Sequence, residues 1–197
     1  AAIIVMAWLF GWLAGTGLPP TATYIVVAVI IVPPMTRFGI SPWVAHFFAF
    51  LISVWGELTP PTSLTAAVAS SISGASFMRT AWEALRICSP MFVLSFAIFV
   101  RQEMLTQPGW PQILSSVIVG IACLGLTFSL FGQFSKERLA DWLGRGAIVA
   151  LALVTMFYPD QSVAVAAGIP CLILLIKGVL NFRIIGPPVT QPIGPAV

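Results

Sequence analysis

The chain has 197 residues, of which 59% are hydrophobic and only 8% are charged. A soluble globular domain carries about 25% charged residues, so the composition excludes a water-soluble fold and predicts that lipid surrounds most of the chain. Nine Lys and Arg side chains against six Asp and Glu give a net charge of +3, but the basic residues are scattered singly along the sequence. This distribution is typical of topology signals in a membrane protein and argues against nucleic-acid binding.

Two apolar segments early in the chain are each divided into short halves. The chain begins inside an apolar stretch, without an initiator Met or the basic region of a signal peptide, so we expect it to start within a longer protein. Residues 1–14 are interrupted at Gly15-Thr16-Gly17-Leu18-Pro19-Pro20, and an apolar run resumes over 21–32. Residues 43–55 are interrupted in the same way at Gly56-Glu57-Leu58-Thr59-Pro60-Pro61, and an apolar run resumes over 62–73.

The length of these halves predicts where the interruptions lie. Each half has about 12 to 14 residues and as a helix reaches about 18 to 21 Å, whereas the hydrocarbon core of a bilayer is about 30 Å thick. The breaks are therefore expected near the middle of the membrane, where irregular backbone is tolerated only against protein or a polar cavity. One Pro/Gly kink would be explained as a structural feature, but two similar composite breaks favour a binding site of the kind that discontinuous helices form in transporters.

Free backbone groups make each break a candidate site. The N–H groups at the start of a resumed helix suit an anion, and the carbonyls at the end of the preceding half suit a cation such as Na⁺. Glycine permits a close approach of backbone to ligand, and threonine hydroxyls add neutral oxygen atoms. The candidate substrate- and ion-binding residues are Gly15, Thr16, Gly17, Thr21, Gly56, Glu57, Thr59, Pro60 and Thr62, with Na⁺ expected near Gly15, Gly17, Gly56 and Thr59.

Glu57 is the one acidic residue expected at this depth. An intramembrane carboxylate is costly and is therefore a functional candidate. Three roles stay open for it: a ligand for a cation, a carrier of a proton, or a cap for Thr59 and the broken backbone. Nothing in the sequence resembles a catalytic triad, a phosphate loop or a metal-ligand cluster, so we expect no enzyme activity and no cofactor beyond a coupling ion.

The rest of the chain is predicted to form more conventional helices. Residues 77–86 place apolar side chains on one side and charged ones on the other, which predicts a short helix lying in the membrane interface. Four further spans are predicted over 87–104, 112–133, 142–158 and 163–180. The tail over 185–197 contains four prolines and is expected to be disordered.

Basic residues indicate the orientation of these helices, since they favour the cytoplasmic side. If 1–32 is a re-entrant hairpin and 42–73 crosses the membrane, seven basic residues lie on one side and two on the other. If 1–32 crosses and 42–73 is the hairpin, the count is eight against one. Both alternatives place the 134–141 loop and the tail in the cytoplasm, and the charges do not choose between them.

Several motifs of the sequence are similar to those of a known family. The chain resembles the C-terminal part of the large membrane subunit of a tripartite ATP-independent periplasmic (TRAP) transporter, in its fused-permease form. The resemblance covers residues 1–104 and rests on the stretches 15–24, 41–46 and 57–61 and on Gly74 with 78–81. The sequence departs from the family pattern at Thr16 and Pro20, where Met and Thr are expected, and at Arg101-Gln102-Glu103, where Asn-Pro is expected.

The resemblance implies an all-α integral membrane fold that is one half of an inverted-repeat, elevator-type transporter. It selects the first topology: a re-entrant hairpin over 1–32 and a broken transmembrane helix over 42–73, both in the transport-domain part over 1–76. An interfacial arm helix and a scaffold span over 77–104 would follow, then additional transmembrane helices over 105–184, with about four transmembrane helices after the broken one.

The function implied is a permease subunit for Na⁺-coupled import of organic acids across the bacterial inner membrane. Its expected partners are a periplasmic substrate-binding protein and a small membrane subunit or its fused equivalent. The alternative is a channel-like or structural membrane subunit without transport activity of its own.

Overall fold

The computed structural model describes residues 2–132 and 138–181, and every regular element within these ranges is an α-helix. The predicted disordered tail over 185–197 lies outside the described residues, as do residues 134–137 of the predicted cytoplasmic loop. The helices are α1 (Ala2–Gly15), α2 (Pro20–Ile30), α3 (Val32–Arg37), α4 (Pro42–Leu58), α5 (Leu64–Ser73), α6 (Phe77–Ala97), α7 (Glu103–Thr106), α8 (Trp110–Phe131), α9 (Arg138–Phe157) and α10 (Gln161–Asn181).

Helices α1 and α2 form the hairpin that was predicted over 1–32. They run antiparallel, since Ala2 at the start of α1 and Ile31 just after α2 line the same cavity. Gly17 in the connecting turn has a φ of +113°, a conformation that glycine adopts without strain. Pro20 begins α2 because the first turn of a helix does not need the N–H that proline lacks. Both helices pack against α4.

Helices α4 and α5 form the broken helix that was predicted over 42–73. The break lies between Leu58 and Leu64 and contains a cis peptide bond between Pro60 and Pro61. Helix α4 is the centre of the first half of the chain, because α1, α2, α3 and α6 all pack around it. Its fully buried side chains include Val44, Ala45, Phe48 and Ile52.

Helix α6 corrects the expectation of a separate interfacial helix over 77–86 followed by a span over 87–104. The chain is one continuous helix from Phe77 to Ala97, although Pro90 lies inside it. Proline has no N–H to donate to the carbonyl four residues earlier, which here belongs to Arg86. The Ser89 hydroxyl donates to that carbonyl instead, at 2.9 Å. The backbone bond lost at Pro90 is thereby replaced, and the helix continues.

Three helices in the described part of the chain are long and apolar enough to cross a membrane, namely α8, α9 and α10. They pack on one another around a core that includes Val119, Ile148 and Cys171. The segment over 87–104, the first of the four further spans that were predicted, is not among them. Its helix ends at Ala97, and the preceding turns of α6 carry three charged side chains, Arg79, Glu83 and Arg86.

A buried arginine joins α8 and α9 to the end of the first half. Arg101 is 1% exposed; its Nη2 donates to the carbonyl of Thr155 at 3.0 Å and to that of Tyr158. Its Nη1 lies 3.4 Å from Glu103 Oε1, which also accepts a hydrogen bond from Ser115 Oγ at 2.7 Å. The guanidinium thus lies at the carboxyl end of α9, where the helix dipole favours a positive charge.

We predict that Arg101→Gln lowers the free energy of unfolding by about 3 kcal/mol, because it leaves a partly buried Glu103 without its cation. Arg79→Gln is the matched control, since Arg79 is exposed and has no ion pair within the described residues; its effect should stay below about 0.5 kcal/mol. Unfolding of the detergent-solubilised chain measures the free energy in both variants. An equal loss of stability in the two would contradict the structural role assigned to Arg101.

Candidate functional site

The two predicted breaks meet through a pair of glycines. A Cβ atom added at Gly15 would lie 2.6 Å from the Cα of Gly56, and one added at Gly56 would lie 2.7 Å from the Cα of Gly15. Since real Cβ atoms do not approach backbone so closely, only glycine fits at either position. The backbones of α1 and α4 are therefore in direct contact, and the hairpin tip is held against the break of the broken helix.

The two breaks also share a spacing. Gly15 is followed four residues later by Pro19-Pro20, and Gly56 by Pro60-Pro61. In a helix each carbonyl accepts from the N–H four residues on, and proline has none, so neither glycine carbonyl can receive its regular helical bond. The Gly56 carbonyl accepts instead from the N–H of Thr59 at 3.1 Å. This repeated spacing is the signal in the sequence that indicates the pairing of the two glycines, and composition alone does not reveal it.

A hydrogen bond from the hairpin positions Thr59. Trp12 Nε1 donates to Thr59 Oγ1 at 3.1 Å, and Thr59 Oγ1 donates to the carbonyl of Trp55 at 3.0 Å. Because a hydroxyl has one proton and two lone pairs, one lone pair is left for another partner. Thr59 thus holds the break against α1 and retains a single acceptor position.

Glu57 caps the second half of the broken helix. Its Oε1 accepts from the N–H of Thr65 at 2.8 Å, and its Oε2 accepts from Thr65 Oγ1 at 2.9 Å. Ser63 Oγ accepts from the next N–H, that of Ala66, at 3.1 Å. A buried carboxylate at this place is favoured by the positive end of the α5 dipole. Of the three roles that the sequence left open, the geometry displays the cap, and it is directed to Thr65 rather than to Thr59.

The start of α2 has no such cap. Its N-cap residue is Pro19, which offers no side-chain hydrogen bond, and Pro20 has no N–H. The Thr16 hydroxyl donates a hydrogen bond to the carbonyl of Leu13 at 2.7 Å and so does not cap α2. Donors were predicted at the start of both resumed helices. In α5, Glu57 and Ser63 accept from the N–H groups of Thr65 and Ala66, whereas the first turn of α2 has no side-chain acceptor.

The predicted site residues differ in exposure. Gly15, Gly56, Glu57 and Thr59 are buried, Thr16 and Pro60 are half-buried, and Gly17, Thr21 and Thr62 are exposed. The buried members touch across the contact between α1 and α4, whereas the exposed ones lie at the surface on either side of it. Within residues 2–132 and 138–181, no three His, Cys, Asp or Glu side chains are grouped to hold a metal ion.

A hairpin packed on a broken helix, followed by helices of membrane length, defines a helical membrane protein with discontinuous helices, the architecture of many secondary transporters. The family model for "Tripartite ATP-independent periplasmic transporter, DctM component" matches residues 1–104. The chain belongs to this family, so it is a permease component of a TRAP transporter. Membership implies a membrane environment and a periplasmic binding protein as partner. Comparisons with curated proteins and with solved structures gave no match.

We predict that Gly56→Ala destabilises the chain by about 1 to 3 kcal/mol, because its Cβ would meet the α1 backbone and force the two helices apart. Gly120→Ala in α8 is the matched control, since a Cβ there meets nothing within 4 Å. It should be neutral or stabilising by up to about 1 kcal/mol, as alanine favours helix. Thermal unfolding in detergent compares the two, and a stable Gly56→Ala variant would contradict the contact.

We predict that Glu57→Ala costs about 1 to 2 kcal/mol of stability, because the Thr65 N–H loses its acceptor. Glu57→Gln should cost less, since an amide can accept from the Thr65 N–H through its oxygen and donate to the Thr65 hydroxyl through its nitrogen. Unfolding of both variants under one condition tests this order. A glutamine variant as unstable as the alanine variant would show that the cap requires charge.

Proposed function

We propose that the chain is the permease part of a Na⁺-coupled secondary transporter that imports organic acids delivered by a periplasmic binding protein. Membership of the DctM family supports a transport role. The observation that carries the finer proposal is the contact of two interrupted helices at Gly15 and Gly56. It gathers the free backbone groups of both breaks in one place, as in transporters that bind substrate and ion between discontinuous helices.

The carboxylate of the substrate would bind at the start of α2. That helix has an uncapped first turn, and Thr21 in it is exposed. Backbone N–H groups and the helix dipole favour an anion there without a positively charged side chain. The start of α5 is less suitable, because the Glu57 carboxylate already occupies it and would repel a second anion.

The coupling Na⁺ would bind carbonyl and hydroxyl oxygens between the two breaks. The candidates are the carbonyls that end α1 near Gly15 and Gly17, those that end α4 near Gly56, and the remaining lone pair of Thr59. Neutral oxygens suit a hard cation that must be released again after each transport cycle. Glu57 is close in sequence, but both of its oxygens accept hydrogen bonds from Thr65, so it is not among the proposed ligands of the cation.

Movement would occur at the joint between α5 and α6. The hairpin and the broken helix, residues 1–76, would move together as a transport domain, since the glycine contact holds them in register. Gly74, the residue after α5, has a φ of +68°, and α6 begins three residues later at Phe77. Helix α6 would connect this domain to a scaffold in the bacterial inner membrane that includes a small membrane subunit or its fused equivalent.

We predict that proteoliposomes containing the full transporter and its binding protein accumulate a labelled organic acid only when an inward Na⁺ gradient is imposed. Replacing Na⁺ by choline on both sides should reduce uptake to the level of empty vesicles, because the driving ion is then absent. Glu57→Gln keeps the cap and serves as the control variant: it should retain uptake within about twofold if neutral oxygens hold the ion.

Uptake that is equal with and without Na⁺ would overturn the coupling. Absence of uptake with every acid tried, by a stable protein, would favour the alternative of a structural subunit. Loss of uptake in a stably folded Glu57→Gln variant would assign the carboxylate to the ion or to a proton, and the neutral-oxygen site would be wrong.

A further inference from the structure

A groove of about 620 Å³ opens beside the second break. Trp8 and Trp12 of α1 form one side, the break itself forms the end with Pro60 and Pro61, and α6 forms the opposite side. Its volume lies within the range of small-ligand sites, which is about 300 to 1,000 Å³. The groove thus touches the hairpin, the broken helix and α6 at once.

The lining of this groove is apolar and largely aromatic. The residues that α6 contributes are Met78, Trp82, Leu85, Ser89 and Phe92, which recur every three or four positions on one face of the helix. None of the residues lining the groove is charged, and the hydroxyls of Thr59 and Ser89 already donate to backbone carbonyls. A free carboxylate inside the groove would find no counter-charge, whereas a hydrocarbon chain would match its walls.

The residue that follows Met78, a lining residue of the groove, is an arginine without an ion pair in the described part of the chain. Arg79 follows Met78 and lies one helical turn before Trp82, is exposed, and forms no ion pair within the described residues. Arg86, two turns further on, is occupied by Glu83 and by the carbonyl of Leu130. Trp82 itself is 62% exposed, as is typical of tryptophans that lie at a membrane–water interface.

We propose that this groove binds one acyl chain of an anionic phospholipid, with the phosphate of the headgroup on Arg79. The acyl chain supplies apolar surface that matches the aromatic walls, and the phosphate supplies the negative counter-charge that Arg79 lacks. The lipid contacts Trp12, the Pro60-Pro61 segment and α6 together, so it bridges the hairpin, the break and the helix that follows them. The groove shares Thr59 and Pro60 with the candidate ion and substrate site, but its ligand is neither the substrate nor the coupling ion.

Native mass spectrometry of the full chain in detergent, titrated with dioleoyl phosphatidylglycerol and dioleoyl phosphatidylcholine, tests the site. The parent should bind phosphatidylglycerol about fivefold more tightly, the preference that one basic residue near a membrane confers. Arg79→Gln should reduce this preference to about one. Arg138→Gln, which removes an exposed arginine from the start of α9, should leave it unchanged.

Leu85→Trp tests the contribution of the acyl chain separately from that of the headgroup, because the larger side chain fills the groove while Arg79 stays in place. This variant should lose the bound lipid signal and keep the thermal midpoint of the parent. Equal binding of the two lipids by the parent, an unchanged preference in Arg79→Gln, or an unchanged lipid signal in a folded Leu85→Trp variant would each overturn the proposal. So would oleate binding as tightly as phosphatidylglycerol whether or not Arg79 is present, because the groove would then be a site for free fatty acids.

Discussion

The backbone contact between Gly15 and Gly56 is the constraint on which the first half of the molecule depends. It brings the backbones of α1 and α4 into contact, and from that separation Trp12 reaches Thr59 across the interface. A larger side chain at either glycine would separate the hairpin tip from the break. The interaction is steric and local, yet it decides whether two interrupted helices form one site or two unrelated irregularities.

Several helix ends in the structure have side-chain partners for their free N–H and C=O groups. In surroundings without water, each free N–H or C=O at a helix end is costly. Glu57 and Ser63 occupy the donors of α5, Arg86 binds a carbonyl in the last turn of α8, and Arg101 binds carbonyls at the end of α9. The start of α2 lacks such a partner, since its N-cap residue Pro19 makes no side-chain hydrogen bond, and an anion bound there would supply an acceptor for its free N–H groups.

The sequence predicted the elements better than their contacts. The breaks at 15–20 and 56–61 were predictable because glycine and proline act on the local backbone. The continuity of α6 was not, because it depends on the Ser89 hydroxyl replacing the bond that Pro90 cannot make. Glu57 was recognised as costly at its depth, but its partner Thr65 lies eight residues away across an irregular segment, and no helical periodicity relates the two residues. The glycine contact joins residues of two different helices, and only their shared spacing to a proline pair hints at it.

The contacts of Arg101 and Glu103 connect the first half of the chain to the helices that follow it, so they affect where the chain can be divided. The family match ends at residue 104, immediately after the ion pair and before the helices that supply its acceptors. A protein cut there would keep Arg101 and Glu103 but lose the carbonyls of Thr155 and Tyr158 and the hydroxyl of Ser115. A guanidinium and a carboxylate would then face lipid with only each other as partners. The family match therefore ends at residue 104, while the contacts of Arg101 and Glu103 extend beyond it to α8 and to the end of α9.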